Sequence, residues 1–422
     1  MKIFALVLFI ATYVVMIAFP SRRPYTALIS AAIFVISGIV GIGELPSTVN
    51  WNVLFMIAGT MITVFFFIDS KMPDFIADVL MDKSKNVMWL TIYMSLFAGI
   101  ISAFIDNVAT VLMVAPVGLA VCRKMNISPV NMILAIAVSS NLQGAATLVG
   151  DTTSILLGDY ASMDFLDFFW MNGKPGIFFA VEIGALVTVP IMMLIFRKDR
   201  QPIAMSKKAV VKDYVPTFLL CALVLILIGV SFIKDKPQVT NGVICMAIAL
   251  ISIVYNLIRY GSKNCVKASL KSFDYETILL LLGLFVVIAG VSAVGIIDDF
   301  ARIIAKVGGN NQFLLYTIIV WGSVLISAFI DNIPYVATML PVLTAVTASN
   351  GMSAYLMYFG LLCGATLGGN LTPIGASANI TGIGILKKEG YNVSFGQFAK
   401  IGIPFTLAAV LAGYLFIWIF WH

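Results

Sequence analysis

The 422-residue chain is 61% hydrophobic and only 11% charged, with a mean hydropathy of +1.03, which excludes a water-soluble core and makes it a polytopic membrane protein. Its +6 formal charge belongs to short basic loops and is no nucleic-acid signal. The five cysteines (Cys122, Cys221, Cys245, Cys265, Cys363) are scattered without a CxxC pair, which argues against disulfides or a metal cage.

Crossing ~30 Å of hydrocarbon takes ~20 apolar residues. The first such run is 3–19; Lys2 before it and Pro20-Ser21-Arg22-Arg23 after it resemble a signal peptide, but a counterpart at 215–233 favours a retained span. Runs at 26–43 and 51–69 follow, and the amphipathic "PDFIADVL" at 73–80 suits the membrane interface. Two apolar arms, 88–105 and 107–121, then meet at "SAFIDN" (102–107); the second arm spans 15 residues, short for a crossing, so 88–124 reads as a re-entrant hairpin. The next crossing, 131–158, is broken by "SNLQGAATLVGDTTS" at 140–154, where each Gly costs about 1 kcal/mol of helix propensity against Ala. Run 177–196 closes a first half, 1–200.

After a basic cytoplasmic linker, 201–213, the order recurs in a second half, 214–422. It has spans at 215–233, 240–258 and 276–296, a hairpin at 311–347 around a second "SAFIDN" (327–332), a broken crossing at 354–386 containing "GATLGGNLTPIGASAN", and a last span at 402–421. One offset of 225 residues relates the SAFIDN copies, Pro116 to Pro341, Asp74-Phe75 to Asp299-Phe300, and Gly144, Thr147 and Gly150 to Gly369, Thr372 and Gly375. Each half has five crossings, an odd number that sets the halves in opposite orientations: an all-α inverted-topology repeat of the kind found in secondary transporters. Sorted on that topology, 20 of the 26 Lys and Arg residues fall on one face, which is therefore cytoplasmic, with both termini outside. None is left for the membrane interior.

Five carboxylates lie within the apolar region: Asp69, Asp106, Asp151, Glu182 and Asp331. An unpaired carboxylate there costs ~2.5–3.5 kcal/mol on insertion scales, so each is expected to be protonated or to hold a cation. Asp106 and Asp331, with Asn107 and Asn332 beside them, are the leading H⁺ or Na⁺ sites; Glu182 is a further proton-carrier candidate, and Asp69 sits at a span end. Unwound backbone at membrane depth is tolerated only where it lines a cavity or is buried in protein. The expected ion and substrate site is therefore Asp106, Asn107, Thr110, Asn141, Gly144, Thr147, Gly150 and Asp151 from the first half. Asp331, Asn332, Gly369, Asn370, Thr372, Gly375, Ser377 and Asn379 complete it from the second. Carboxylate, amide, hydroxyl and carbonyl oxygens suit a hard cation, and freed carbonyls can supply part of the set. Asp151 stands opposite Ala376, so the half-sites are not equivalent. No cofactor beyond bound Na⁺ is expected. With no Walker A motif, an ATP-driven pump would need a separate ATPase subunit.

"SAFIDNVATVLMVAPV" and "SAFIDNIPYVATMLPV", with "NLQGAATLVGDTTS" and "LGGNLTPIGASANI", resemble the hairpin tips and interrupted helices of the ion transporter superfamily, in the branch of arsenite permeases, melanosomal P proteins and NhaD-type antiporters that carries a citrate transporter-like domain. The related divalent-anion/sodium symporters have Ser-Asn-Thr where this chain has Asp106-Asn107-Val108. The resemblance implies an elevator-like movement of hairpins and broken helices against a scaffold, in a homodimer within the lipid bilayer of a bacterial or archaeal plasma membrane.

Three transport chemistries fit: proton-coupled export of a small inorganic solute such as arsenite, Na⁺/H⁺ exchange, and cation-coupled carboxylate or oxyanion uptake. The absence of an interior cation favours the first two. An intramembrane aspartyl protease also joins two membrane aspartates, but it uses Tyr-Asp and Gly-x-Gly-Asp settings that the SAFIDN copies do not match.

Overall fold

A computed structural model describes residues 1–203, 209–233, 235–261, 267–269, 271, 273–308, 311–350 and 352–422. Part of the linker, with Lys207 and Lys208, and the loop carrying Lys263 and Cys265 lie outside the described residues. Helices α1 (Lys2–Ala18) and α2 (Arg23–Ile36) are joined by a 3₁₀ turn at Pro20–Arg22. Helix α3 (Trp51–Asp69), capped by the Asn50 side chain, leads to the short α4 (Met72–Lys83). The first hairpin is α5 (Val87–Ser102) with α6 (Asn107–Met125), the first interrupted segment is α7 (Val130–Gln143) with α8 (Thr152–Tyr160), and α9 (Ile177–Ile195) follows. In the second half come α10 (Val215–Val230), α11 (Thr240–Tyr260), α12 (Tyr275–Ala293) and α13 (Ile296–Gly308). The second hairpin is α14 (Gln312–Ser327) with α15 (Asn332–Asn350), and α16 (Ala354–Leu362), α17 (Ser377–Lys388) and α18 (Phe395–Trp421) complete the chain.

Six of these helices, α3, α6, α9, α11, α12 and α18, are long and apolar enough to cross a membrane. The second hairpin arms differ from expectation: α6 and α15 each run 19 residues rather than 15, because helix continues beyond the apolar run through Cys122–Met125 and 348–350. Arm length therefore gives no reason to prefer re-entry over two crossings.

Two packed bodies emerge. In one, α2 lies along α12 and α3 along α11, so each crossing pairs a helix of one half with a helix of the other. Glycines permit both approaches: a Cβ on Gly59 would strike the Cys245 backbone, and one on Gly283 would stand 2.5 Å from the Ala27 carbonyl carbon. In the other body, α5 packs on α7, α9 on α18 and α7 on α17. Large apolar side chains such as Val7, Val14, Leu186, Leu250, Ile258 and Leu411 cover the outer faces, as lipid contact requires. The interrupted segments run through the interior, with every residue of 132–143 and of 356–370 buried. Protein thus shields the backbone that helix geometry leaves unpaired.

Candidate ion and substrate site

Helix α7 stops at Gln143, makes one 3₁₀ turn at Gly144–Ala146 and becomes extended at Thr147 before α8 begins. Its counterpart passes from α16 through a π-helical stretch, Cys363–Leu367, and a 3₁₀ turn, Gly369–Leu371, to extended Thr372. Each interruption is stitched to the adjacent hairpin tip. The hydroxyl of Thr147 donates to the Ala103 carbonyl and that of Thr372 to the Ala328 carbonyl. Gly150 and Gly375 let the tips come this close, since a Cβ at either would stand 2.5–2.8 Å from three carbonyl oxygens. Backbone carbonyls expected to be free are engaged: Gly144 O accepts from Ser154 at 3.3 Å, and Gly369 O from Asn379 at 3.3 Å.

Between the tips lies one buried polar network drawn from both halves. The Asn107 amide donates to Asn141 Oδ1 at 3.1 Å and to Asp151 Oδ1 at 3.5 Å. Asn141 donates to the Thr366 carbonyl at 2.7 Å and to Asn370 Oδ1 at 3.1 Å; Asn370 donates to the Val138 carbonyl, and Asn379 to Asn370. Asp151 caps α8 through the Thr152 N–H at 2.8 Å and accepts from the Thr153 hydroxyl at 2.8 Å. Asn332, expected beside Asp331, instead donates to Asp151 Oδ2 at 3.4 Å. The two candidate half-sites therefore share one polar network. Sequence reasoning missed Thr153 and Thr366, whose hydroxyls meet at 3.1 Å, and Ser140, which donates to the Asn107 carbonyl at 2.9 Å.

The carboxylates have different surroundings. Asp106 caps α6, accepting the Val108 and Ala109 N–H groups at 3.0 and 3.2 Å. A void of about 10 Å³, with room for one water-sized particle, is lined by Asp106, Asp151, Thr60 and Thr152. Among the described residues no Lys or Arg pairs with Asp106 or Asp151. Asp331 is otherwise, and here the expectation of no interior cation is overturned. The Arg23 guanidinium donates from Nη1 to Asp331 Oδ2 at 2.7 Å, with the two side chains only 12% and 3% exposed. Ser377 donates to the same oxygen at 2.8 Å. Placed by sequence in a cytoplasmic loop, Arg23 is the first residue of α2, and the tight Pro20–Arg22 turn lets its long side chain reach inward.

Arg23 and Asp331 line a cleft of about 430 Å³. Asp274 and Val108 line it as well as a neighbouring cleft of about 390 Å³ that reaches Asp106. Asp274, taken from the sequence as a loop residue, is thus a third acidic group facing the hairpin tips. Thr110 and Glu182 also stand apart from the network: Thr110 is buried with its hydroxyl unpartnered, and Glu182 on α9 accepts from Gln143 Nε2 at 3.4 Å. Asp69, at the end of α3, pairs with Lys212 at 3.4 Å.

The citrate transporter (CitMHS) family matches this sequence over residues 7–364 and again over 235–422. The chain belongs to that family. A Mycobacterium tuberculosis protein described as an uncharacterized transporter is 29% identical over 99% of this chain and 98% of its own length. The human P protein is 25% identical over 88% of this chain and 54% of its own. In fold, this citrate transporter family member is similar to the Alcanivorax borkumensis YdaH transporter (TM-score 0.61, 13% identity, covering 89% and 87% of the two chains) and to Neisseria gonorrhoeae MtrF (0.56, 15%, 87% and 80%). It is an integral membrane transporter and not an enzyme.

Proposed function

We propose that this transporter is secondary active, coupled to H⁺ or Na⁺, and moves a small inorganic solute or anion by alternating access. The observation that carries this reading is the single network in which both hairpin tips and both interrupted helices meet, through Asn107, Asn141, Asp151, Asn332 and Asn370. A static channel has no need to hang four interrupted elements on one buried site. A transporter that must expose the same groups to either side does. The water-sized void between Asp106 and Asp151 is the coupling-ion position, its oxygens being of the hard type that Na⁺ or a proton-bearing water accepts. The body containing α2, α3, α11 and α12 is the scaffold, against which the hairpin body moves; the two oppositely oriented halves lie within one chain, and two such chains form a homodimer.

The test is equilibrium binding of ²²Na⁺ at pH 8 to wild type and Asp106→Asn, with arsenite and citrate uptake into proteoliposomes under imposed pH or Na⁺ gradients. Saturable binding lost in the variant identifies sodium coupling; its absence, with gradient-driven uptake, identifies protons. Uptake that neither saturates nor responds to any gradient overturns the reading.

A further inference from the structure

Arg23 is the feature that the functional reading leaves unused. A guanidinium has five N–H donors and does not lose its charge in proteins. Among the described contacts of Arg23, Nη1 reaches Asp331 at 2.7 Å and Nε reaches the Met16 carbonyl at 3.4 Å. The remaining donors belong to a group that lines the 430 Å³ cleft, a volume in the range of small-molecule sites. Asp331 holds the guanidinium with one oxygen, while its other oxygen takes the Ile333 N–H at 3.2 Å. The pair is one-pronged, although Arg commonly grips a carboxylate with two parallel bonds. The contact also joins the two bodies, because Arg23 begins α2 on the scaffold and Asp331 is the tip of the second hairpin.

We infer that Arg23 is an exchangeable counter-ion: Asp331 occupies it in the solute-free transporter, and a small oxyanion or carboxylate takes it when the solute binds. This rests on the secondary-transport reading and assigns it a solute class and a coupling step. In the exchange, Arg23⁺ passes from Asp331⁻ to the incoming anion, and Asp331 takes up one H⁺ or one Na⁺. The charge of the pair is neutral before and after, so a monoanion and one cation enter together. Among the described residues, the other charged groups lining this cleft are acidic, Asp274 at the N-cap of α12 and Glu276 in its first turn, and Asp106 lines the neighbouring cleft. An anion entering without its cation would face them all. Arg23 is the feature that admits it, and cation uptake at Asp331 removes the competitor.

The experiment measures binding of inorganic phosphate, arsenate, sulfate and citrate to the purified protein by calorimetry at pH 5.5 and 7.5. Wild type, Arg23→Gln, Asp331→Asn and the double variant are compared, with the chromatographic profile as the folding check. Wild type should bind at least one of these anions, tighter at pH 5.5 or on adding Na⁺. Asp331→Asn should bind the same anion at least as tightly, with the pH and Na⁺ dependence lost, because the competing carboxylate is gone. Arg23→Gln should weaken binding at least tenfold at both pH values, and the double variant should fold yet remain unable to bind. A merely structural pair would instead give a double variant that binds like wild type. That outcome, or binding indifferent to Arg23→Gln, or no binding of any of the four anions by wild type, overturns the inference. If gradient-driven uptake of the anion that wild type binds persists unchanged in Arg23→Gln, the inference fails while the transport reading stands.

Discussion

Replacing Gly150 with Ala tests whether the interrupted helix and the hairpin tip move as one piece. The added Cβ would stand 2.6 Å from Gly144 O, 2.7 Å from Ala103 O and 2.8 Å from Ser102 O, where ordinary contact begins at 3.4 Å. All three neighbours are backbone, so no side chain can swing away, and relief requires the tip, at Ser102 and Ala103, to withdraw by about 0.6–0.7 Å and the interruption to open by about 0.8 Å at Gly144. Such overpacking costs about 1–3 kcal/mol. The same withdrawal stretches the Thr147 bond to the Ala103 carbonyl, worth about 0.5–1.5 kcal/mol, while the lost freedom of the unfolded chain returns about 0.4–1 kcal/mol. A net loss of about 1–3 kcal/mol is expected, with a larger fall in uptake, since the displaced tip carries Asp106 and Asn107. Gly229 in α10 has nothing within 4 Å of its Cβ position, so Gly229→Ala is the control and should lose nothing. The assay is thermal melting in one detergent followed by uptake into proteoliposomes. A Gly150→Ala protein that melts and transports like wild type would refute the close coupling of tip and interruption.

Four further outcomes are expected. Asn141→Leu leaves the Thr366 carbonyl, Asn107 and Asn370 short of partners, at about 1–3 kcal/mol for each group left unsatisfied, and should abolish uptake; normal uptake would make the network packing only. Asp331→Asn strands a buried guanidinium and should lose about 3–5 kcal/mol, whereas Arg23→Gln with Asp331→Asn should lose clearly less; equal melting of the two would deny the buried pair. At Asp213, partial burial works to raise the carboxyl pKa, but the Val215 N–H and the Tyr255 and Tyr260 hydroxyls outweigh it and hold it below its ordinary 3.8. That depressed value means its anchoring of α10 is present above about pH 4 and is lost as the pH falls through the folded pKa; hydrogen exchange at Val215, corrected for intrinsic rate, should accelerate toward pH 3 in wild type and show no such step in Asp213→Asn. Glu182→Gln keeps the one bond to Gln143 and should leave coupling intact, and a lost pH dependence would place Glu182 on the proton path.

Much of the site was legible because its grammar is local. SAFIDN names both tips, and the Gly, Thr and Asn of the interrupted segments sit where helix propensity fails, so Asn107, Asn141, Asp151, Asn370 and Asn379 could be gathered without coordinates. The missing residues act across distances that no window reveals. Arg23 meets a partner 308 positions away, and hydropathy assigns an arginine beside two prolines to a loop. One signal did bear on it: an unpaired carboxylate inside a membrane protein is costly enough to demand a partner, but that cost does not say which of the cations near the span ends supplies one. Thr366 lies in the π-helical stretch, and its carbonyl is available to Asn141 only because the i−4 ladder slips there. Arm length was underestimated because the helix continues through polar residues after the apolar run ends.

Arg23 also has a counterpart, and the comparison bears on how access could alternate. Among the described residues, each half sends a cation from the junction of its first two helices into the opposite half. Arg23, the first residue of α2, meets Asp331 on the second hairpin, and the α10–α11 loop supplies Lys236 to Asp164 just after α8, at 2.5 Å. Lys236 stands at a cleft of about 500 Å³, where Asp159 also accepts from Asn52 at 2.6 Å, so scaffold and hairpin body are held by polar contacts there too. The two ties are unequal. The Arg23–Asp331 pair is the more deeply buried, and Asp331 belongs to the tip that would meet the solute, whereas Asp164 lies outside the network. A scaffold tied at two clefts cannot slide past its partner until at least one tie yields. The tie that solute and coupling ion can loosen by direct exchange is Arg23–Asp331, so that pair, rather than Lys236–Asp164, is where occupancy of the site would be converted into movement.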